Sequence, residues 1–173
     1  MKEHKGMRPQ DVIVMLKMIS FSGRDWYFKD IAREIQLSNS EVSESVYRSM
    51  QAGLIEKNKR EVARDRLLEF LVYGLRYVYP VEPGRLTRGM PTAHSCELLK
   101  DEFVLDLPYV WPGGSAGVKG ASVNPLYHTV PRACEQDPRL YNLLALTDAI
   151  RVGNPQEKKP VVERLATEMY REN

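Results

Sequence analysis

Between residues 38 and 66 the chain lines up amide, hydroxyl, phenol and guanidinium side chains at helical spacing, then adds a run of cations. Asn39, Ser40, Ser43, Glu44, Tyr47 and Arg48 recur at the three- and four-residue steps that put side chains along one helix face. Such a set has the chemistry to read a nucleic-acid duplex. Asparagine pairs with adenine through two hydrogen bonds, arginine pairs with guanine or with phosphate, and hydroxyls reach phosphate oxygens. The following KNKREVARDR, residues 57–66, holds five basic and two acidic residues. Its Lys57, Lys59, Arg60, Arg64 and Arg66 are placed for backbone contacts; the plainer reading of the run is a solvated helix start. Glu41 and Glu44 stand against the duplex reading. Two carboxylates near phosphates weaken binding unless one accepts from a cytosine amino group or faces elsewhere.

Three other constellations could carry chemistry. GGSAG at residues 113–117 matches G-x-S-x-G, which would make Ser115 a hydrolase nucleophile. That motif needs a strand before it and a helix after it, and VKGASVNPL is no helix, so the segment reads as a hairpin turn. His94, Cys96, His128 and Cys134 could supply four zinc ligands, but close CxxC-type pairs are missing. They read instead as core thiols and hydrogen-bonded imidazoles. The segment RLTRGMPTAHS, residues 85–95, gathers Arg85, Thr87, Arg88, Thr92, His94 and Ser95 around a glycine and a proline. As a loop it could hold an anion or a partner's acidic side chain through Arg85, Arg88 and His94. Its plainer reading is a loop whose polar groups satisfy their own backbone. No paired-carboxylate, phosphate-loop or dinucleotide motif stands out. The expectation is therefore a non-enzyme with no catalytic residue, no metal and no cofactor.

The elements that must position residues 39–48 are legible locally. Pro9 can occupy the first turn of a helix to about Ser20, with Val12, Ile13, Leu16 and Ile19 as its buried stripe. A second helix spans residues 28–35, with Ile31, Ala32 and Ile35 inward. Leu37 and Ser38 make a turn. Ser38 then caps a third helix, and Glu41 three residues on completes a capping box. Val42, Val46 and Met50 face inward, and Gly53 supplies a left-handed exit before Leu54 and Ile55. The second helix, the turn, the cap and the exit agree on a helix-turn-helix unit rather than a plain three-helix core. After Ile55 the pattern quickly becomes helical through Val62, Leu67, Leu68, Leu71, Val72 and Leu75. A β-hairpin wing is accordingly very short or absent.

From residue 77 to residue 131 the helical period is lost. Seven of the eleven prolines and six of the eleven glycines fall there, with short extended pieces expected at residues 77–79, 109–111 and 118–123. Asp137-Pro138 and Asn154-Pro155 then start two C-terminal helices. The fold class is α+β, mainly α: an N-terminal (winged) helix-turn-helix domain over residues 8–76, then an α+β region over residues 77–173. With a net charge of +2, a strongly basic coat is excluded, although the charge is uneven, +3 over residues 1–79 and −1 over residues 80–173. Two cysteines make no disulfide framework, and the start MKEHKGMRPQ has no apolar signal region. A cytoplasmic protein that does not span a membrane is expected.

Over residues 8–75, through FKDIAREIQLSNSEVSESVYRSMQAGLI, the chain resembles bacterial MarR-type and related winged-helix regulators. That resemblance implies a homodimer on double-stranded DNA at a pseudo-palindromic operator. Asn39, Ser40, Ser43, Tyr47 and Arg48 are the positions it carries over. The missing wing is a departure that puts the usual minor-groove contact in doubt. YPVEPGRLTRGMPTAHS, YVWPGGSAGVKG and NPLYHTVPRACEQDPRLYNLLALTDAIRVG look like a narrower bacterial group with the same N-terminal module. That group is similar in layout to the antitoxin half of abortive-infection toxin–antitoxin pairs, whose partner is a nucleotidyltransferase-like toxin. Two functions stay open. The first is a dimeric DNA-binding regulator. The second is a protein-interaction module that docks such a toxin through its C-terminal half.

Overall fold

A computed structural model of the chain describes residues 6–113 and 117–172. The fold is α+β and about half helical, with a small three-stranded sheet between an N-terminal and a C-terminal group of helices. Ser115, the residue of the G-x-S-x-G match, lies outside the described residues. Among the described residues no helix is long and apolar enough to cross a membrane.

The first three helices form where their local signals put them: α1 Pro9–Ser20, α2 Phe28–Ile35 and α3 Asn39–Gln51. Proline sits in the first turn of α1. Ser38 Oγ accepts from the Glu41 amide at 3.1 Å, while Glu41 Oε2 accepts from the Ser38 amide at 3.0 Å, which closes the expected capping box. Between α2 and α3, Gln36 adopts φ +57°, so the left-handed residue of that turn is one earlier than Leu37-Ser38. After α3, Gly53 adopts φ +76°, a conformation that side chains with a Cβ rarely adopt.

The stripe of α1 is buried as expected, and burial extends beyond it: every residue from Asp11 to Ile19 is buried. A single apolar cluster joins α1, α2 and α3 to the C-terminal helices α7 (Pro138–Val152) and α8 (Lys158–Tyr170), and α1 packs between the two groups. Its lone charge on the far side, Lys17, is neutralised where the groups meet. Lys17 Nζ lies 2.6 Å from Asp137 Oδ2 and 2.6 Å from Glu34 Oε2. Asp137 also accepts from Ser20 Oγ at 2.7 Å and caps α7 through the Leu140 amide at 2.9 Å. Despite burial, the hydrogen bond from Lys17 helps hold the Asp137 carboxyl below its usual range.

Residues 54–63 make a minimal hairpin. Ile55 bridges Val62, Glu56 N–H donates to Glu61 C=O at 2.8 Å, and Ala63 N–H donates to Leu54 C=O at 2.9 Å. Val62 therefore belongs to this hairpin and not to the helix after it, which begins at Arg64. That helix is split at Gly74 into α4 (Arg64–Tyr73) and α5 (Leu75–Val78), so residues 77–79, expected to be extended, enter on a helical turn.

Strands β2 (Tyr109–Pro112) and β3 (Val118–Ser122) match the extended pieces expected there. A third strand, β1 (Leu86–Pro91), lies inside the segment read as a loop. It pairs antiparallel with both others, which pair parallel with each other, so the three close on themselves. Gly89 and Pro91 read as turn residues along the chain. In space Gly89 is needed where β1 meets β2, because a Cβ there would overlap the Trp111 carbonyl oxygen. A further helix, α6 (Val130–Glu135), was not foreseen. Pro131 and a length of only six residues hide it from periodicity. Asn154 and Glu157 bond each other's amides as a capping box does, and the regular part of α8 starts at Lys158.

Candidate nucleic-acid interface

The residues singled out on α3 do not share one face. Asn39, Ser40 and Ser43 are exposed, as is Glu44, and Tyr47 is half-buried. Arg48 is 7 % exposed and turns inward. Its Nε and Nη2 grip the two oxygens of Asp11 on α1 at 2.9 and 2.6 Å, and Asp11 Oδ1 also accepts from Ser45 Oγ at 2.7 Å. The expectation that Arg48 reaches nucleic acid is corrected: it is an internal tie between α3 and α1. Helical phase explains the error. Arg48 lies two residues from Val46 and three from Ser45, on the edge between the faces, and an available buried carboxylate pulls it in.

Glu41 is less of an obstacle than its position in sequence suggests. The Ser38 backbone N–H, then its hydroxyl, hold the Glu41 carboxylate below the usual range, so its charge is engaged at the cap. Glu44 remains on the outer face.

The cations after α3 separate into two groups. Arg66 bonds the Gly53 carbonyl and Glu56, and Arg64 donates to the Met169 carbonyl at 2.8 Å; both serve the fold. Lys57, Lys59 and Arg60 are exposed at the hairpin tip, where Asn58 Oδ1 accepts from the Arg60 amide at 2.9 Å and shapes the turn. Among the described residues Lys57 and Lys59 enter no ion pair.

This tip stands opposite the start of α2. Between them runs an open groove of about 570 Å³, walled by Tyr27, Lys29, Asn39, Asn58, Lys59 and Arg60. It carries three cations, two amides and no carboxylate. Arg60 lies 4.9 Å from the Trp26 ring centroid and 5.8 Å from that of Tyr27, and Lys29 lies 5.5 Å from the Tyr27 ring. The structure therefore unites Asn39, Lys59 and Arg60, predicted from sequence, with Lys29, Tyr27 and Asn58, which were missed. Lys29 sits in the first turn of α2, about thirty residues before the tip, so only the fold could reveal the pairing. The chain matches no family model, no curated protein and no solved structure.

The segment expected to gather Arg85, Arg88 and His94 into an anion loop does not do so. Arg85 and Arg88 are exposed at and along β1, and Arg88 donates to the Gly117 carbonyl at 3.3 Å. His94 is 2 % exposed, in a single 3₁₀ turn after the strand, edge-on to Phe103 at 4.8 Å. Alternation along β1 and burial of the turn separate the three. The two thiols are buried and free, and burial pushes Cys96 up to about 11. No cluster of metal-ligating side chains occurs among the described residues.

Burial lowers the pKa of His94 below 6.5, against the opposing pull of Glu157, whose Oε2 is 3.3 Å from Nε2. The unfolded chain takes up a proton at higher pH than the fold does. The stabilisation is thus complete above about 6.5 and is lost as pH falls through the folded value. The thermal midpoint should drop between about pH 7 and pH 5. His94→Phe should flatten that drop, and an unchanged slope would refute the assignment.

Proposed function

We propose that this chain is a cytoplasmic, non-enzymatic transcriptional regulator that binds double-stranded DNA as a homodimer. Its winged helix-turn-helix consists of α2 and α3 followed by a very short wing, residues 54–63. The groove that joins Asn39 to Lys29, Lys59 and Arg60 without a carboxylate carries this reading. In it, the start of α3 enters the major groove with Asn39, Ser40 and Ser43 toward base edges. Lys29, Lys59 and Arg60 meet phosphates on either side, while Lys57 and Tyr47 border the contact. Tyr73, Tyr77 and Val78, exposed by 69, 78 and 52 %, provide an apolar face for the second copy.

A shift assay on DNA upstream of the chain's own gene tests the proposal. Three phosphate-binding cations per protomer in a dimer predict that log K falls with log salt at a slope of about −5. Lys59→Ala should reduce that slope by about two in the dimer while leaving sequence preference intact. Folded protein that shifts no DNA at low salt would refute the reading.

A second reading rests on different residues. Leu86, Val104, Leu107 and Val118 are exposed apolar side chains of the C-terminal half, where a protein partner would dock. A stable complex with a nucleotidyltransferase-like toxin, combined with indifference to DNA, would select it.

A further inference from the structure

Beside the groove lies a second, more enclosed cleft, between the end of α1, the 21–26 linker and the start of α4. Arg24, Arg60 and Arg64 line it, together with Ser22, Trp26 and one carboxylate, Glu61. We propose that this cleft binds a small phosphate monoester, and that its occupation weakens DNA binding through Arg60.

Charge is the first argument. Arg24 is paired with Glu34 at 3.0 Å. Arg60 and Arg64 have no carboxylate within ion-pair distance among the described residues. Their side-chain hydrogen bonds go to neutral oxygens: Arg60 Nη1 to Trp26 C=O at 2.6 Å, Arg64 Nη1 to Met169 C=O at 2.8 Å and Arg64 Nη2 to Ser22 Oγ at 3.4 Å. Each guanidinium has five donors, so most remain for an anion. Arg64 also opens α4, a ten-residue helix whose N-cap, Ala63, makes no side-chain cap bond. A monoester, with a charge of about −1.5 to −2 at neutral pH, matches this surplus better than a singly charged carboxylate.

Size and shape are the second. The cleft holds about 220 Å³. This is below the roughly 300–1,000 Å³ of pockets for drug-sized ligands, so it suits a phosphate on a short polar body and not a dinucleotide. Its aromatic wall is pre-formed: Phe21 stacks on Trp26 at 5.9 Å, Trp26 on Phe28 at 6.2 Å, and Arg24 lies 4.3 Å from the Phe21 centroid.

Arg60 belongs to both the cleft and the DNA groove. A phosphate that draws its guanidinium into the cleft removes it from the groove. This coupling rests on the DNA-binding reading; the binding of phosphate does not.

Calorimetric titration of the full chain with inorganic phosphate, glycerol 3-phosphate and the diester dimethyl phosphate, at matched ionic strength, tests the site. The two dianions should bind saturably, and the diester at least about tenfold more weakly, since it carries one charge. Arg24→Gln and Arg60→Gln, both at exposed positions and checked for unchanged thermal midpoints, should each weaken glycerol 3-phosphate at least about tenfold. No saturable monoester binding, equal binding of the diester, or wild-type affinity in both variants would each overturn the site. With DNA, glycerol 3-phosphate at a concentration that just saturates the wild type should lower wild-type affinity more than that of Arg24→Gln. Wild-type DNA affinity that ignores the ligand would overturn the coupling. Absence of any DNA shift would overturn the DNA reading, while the titration alone still decides the cleft.

Discussion

Arg48→Met should lower the stability of the chain by about 3–5 kcal/mol, a large part of the 5–15 kcal/mol typical of a folded domain. The reason is what remains. Asp11 is fully buried, and its two oxygens accept from Arg48 Nε, Arg48 Nη2, Ser45 Oγ and the Arg8 amide. Without the guanidinium a buried carboxylate keeps one hydroxyl and one amide, too little to replace its lost hydration. Asp11→Leu combined with Arg48→Met removes both charges and should recover most of the loss. Urea midpoints of the single and double variants measure this directly. If Arg48 read DNA instead, Arg48→Met would keep the wild-type midpoint and lose only affinity, and that result would sink the internal assignment.

The second large effect is expected at Asp148 on α7. It is buried beneath the sheet, where it accepts from the Trp111 indole N–H, from Thr92 Oγ1 at 3.3 Å and from Arg151 Nη1 at 2.7 Å. Arg151 in turn donates to the Tyr79 carbonyl at 3.0 Å and the Asn124 carbonyl at 3.2 Å. The Asp148–Arg151 pair thereby ties β2, the residue after β1, the end of α5 and the segment at Asn124 to α7. Asp148→Ala should cost about 3–5 kcal/mol, because it strands a buried guanidinium and an indole donor. Burial raises the Asp148 pKa despite Arg151, so the charge itself is partly opposed by its surroundings. Asp148→Asn keeps an oxygen for the indole and should cost less, about 1–3 kcal/mol. Thermal midpoints that rank Asn below Ala would contradict the network.

How much was legible depended on whether the information was local. The bounds of α1, α2, α3 and α7 could be read from Pro9, the Ser38–Glu41 box, Gly53 and Asp137-Pro138, because a cap involves residues within about four positions of each other. The exposure of Asn39, Lys59 and Arg60 was legible for the same reason. Strand β1 was not. Its sequence LTRGMP has no alternation, and its glycine is explained by Trp111 more than twenty residues away. The burial of α1 on all sides was hidden as well, since VIVMLKMI shows one charged residue whose partners, Glu34 and Asp137, come from elsewhere in the chain.

By itself the sequence determined where α1, α2, α3 and α7 begin and end, that a wing after Ile55 is very short or absent, and that cations cluster just beyond α3. These follow from backbone hydrogen bonds and torsions satisfied within a few residues. Only the tertiary structure decided which cations face outward. It turned Arg48 to Asp11, spent Arg66 on the hairpin, set Lys59 and Arg60 across from Lys29, and left Arg60 between a groove and a cleft. A charged side chain goes where its best counter-charge or acceptor lies, and those partners are far apart in sequence.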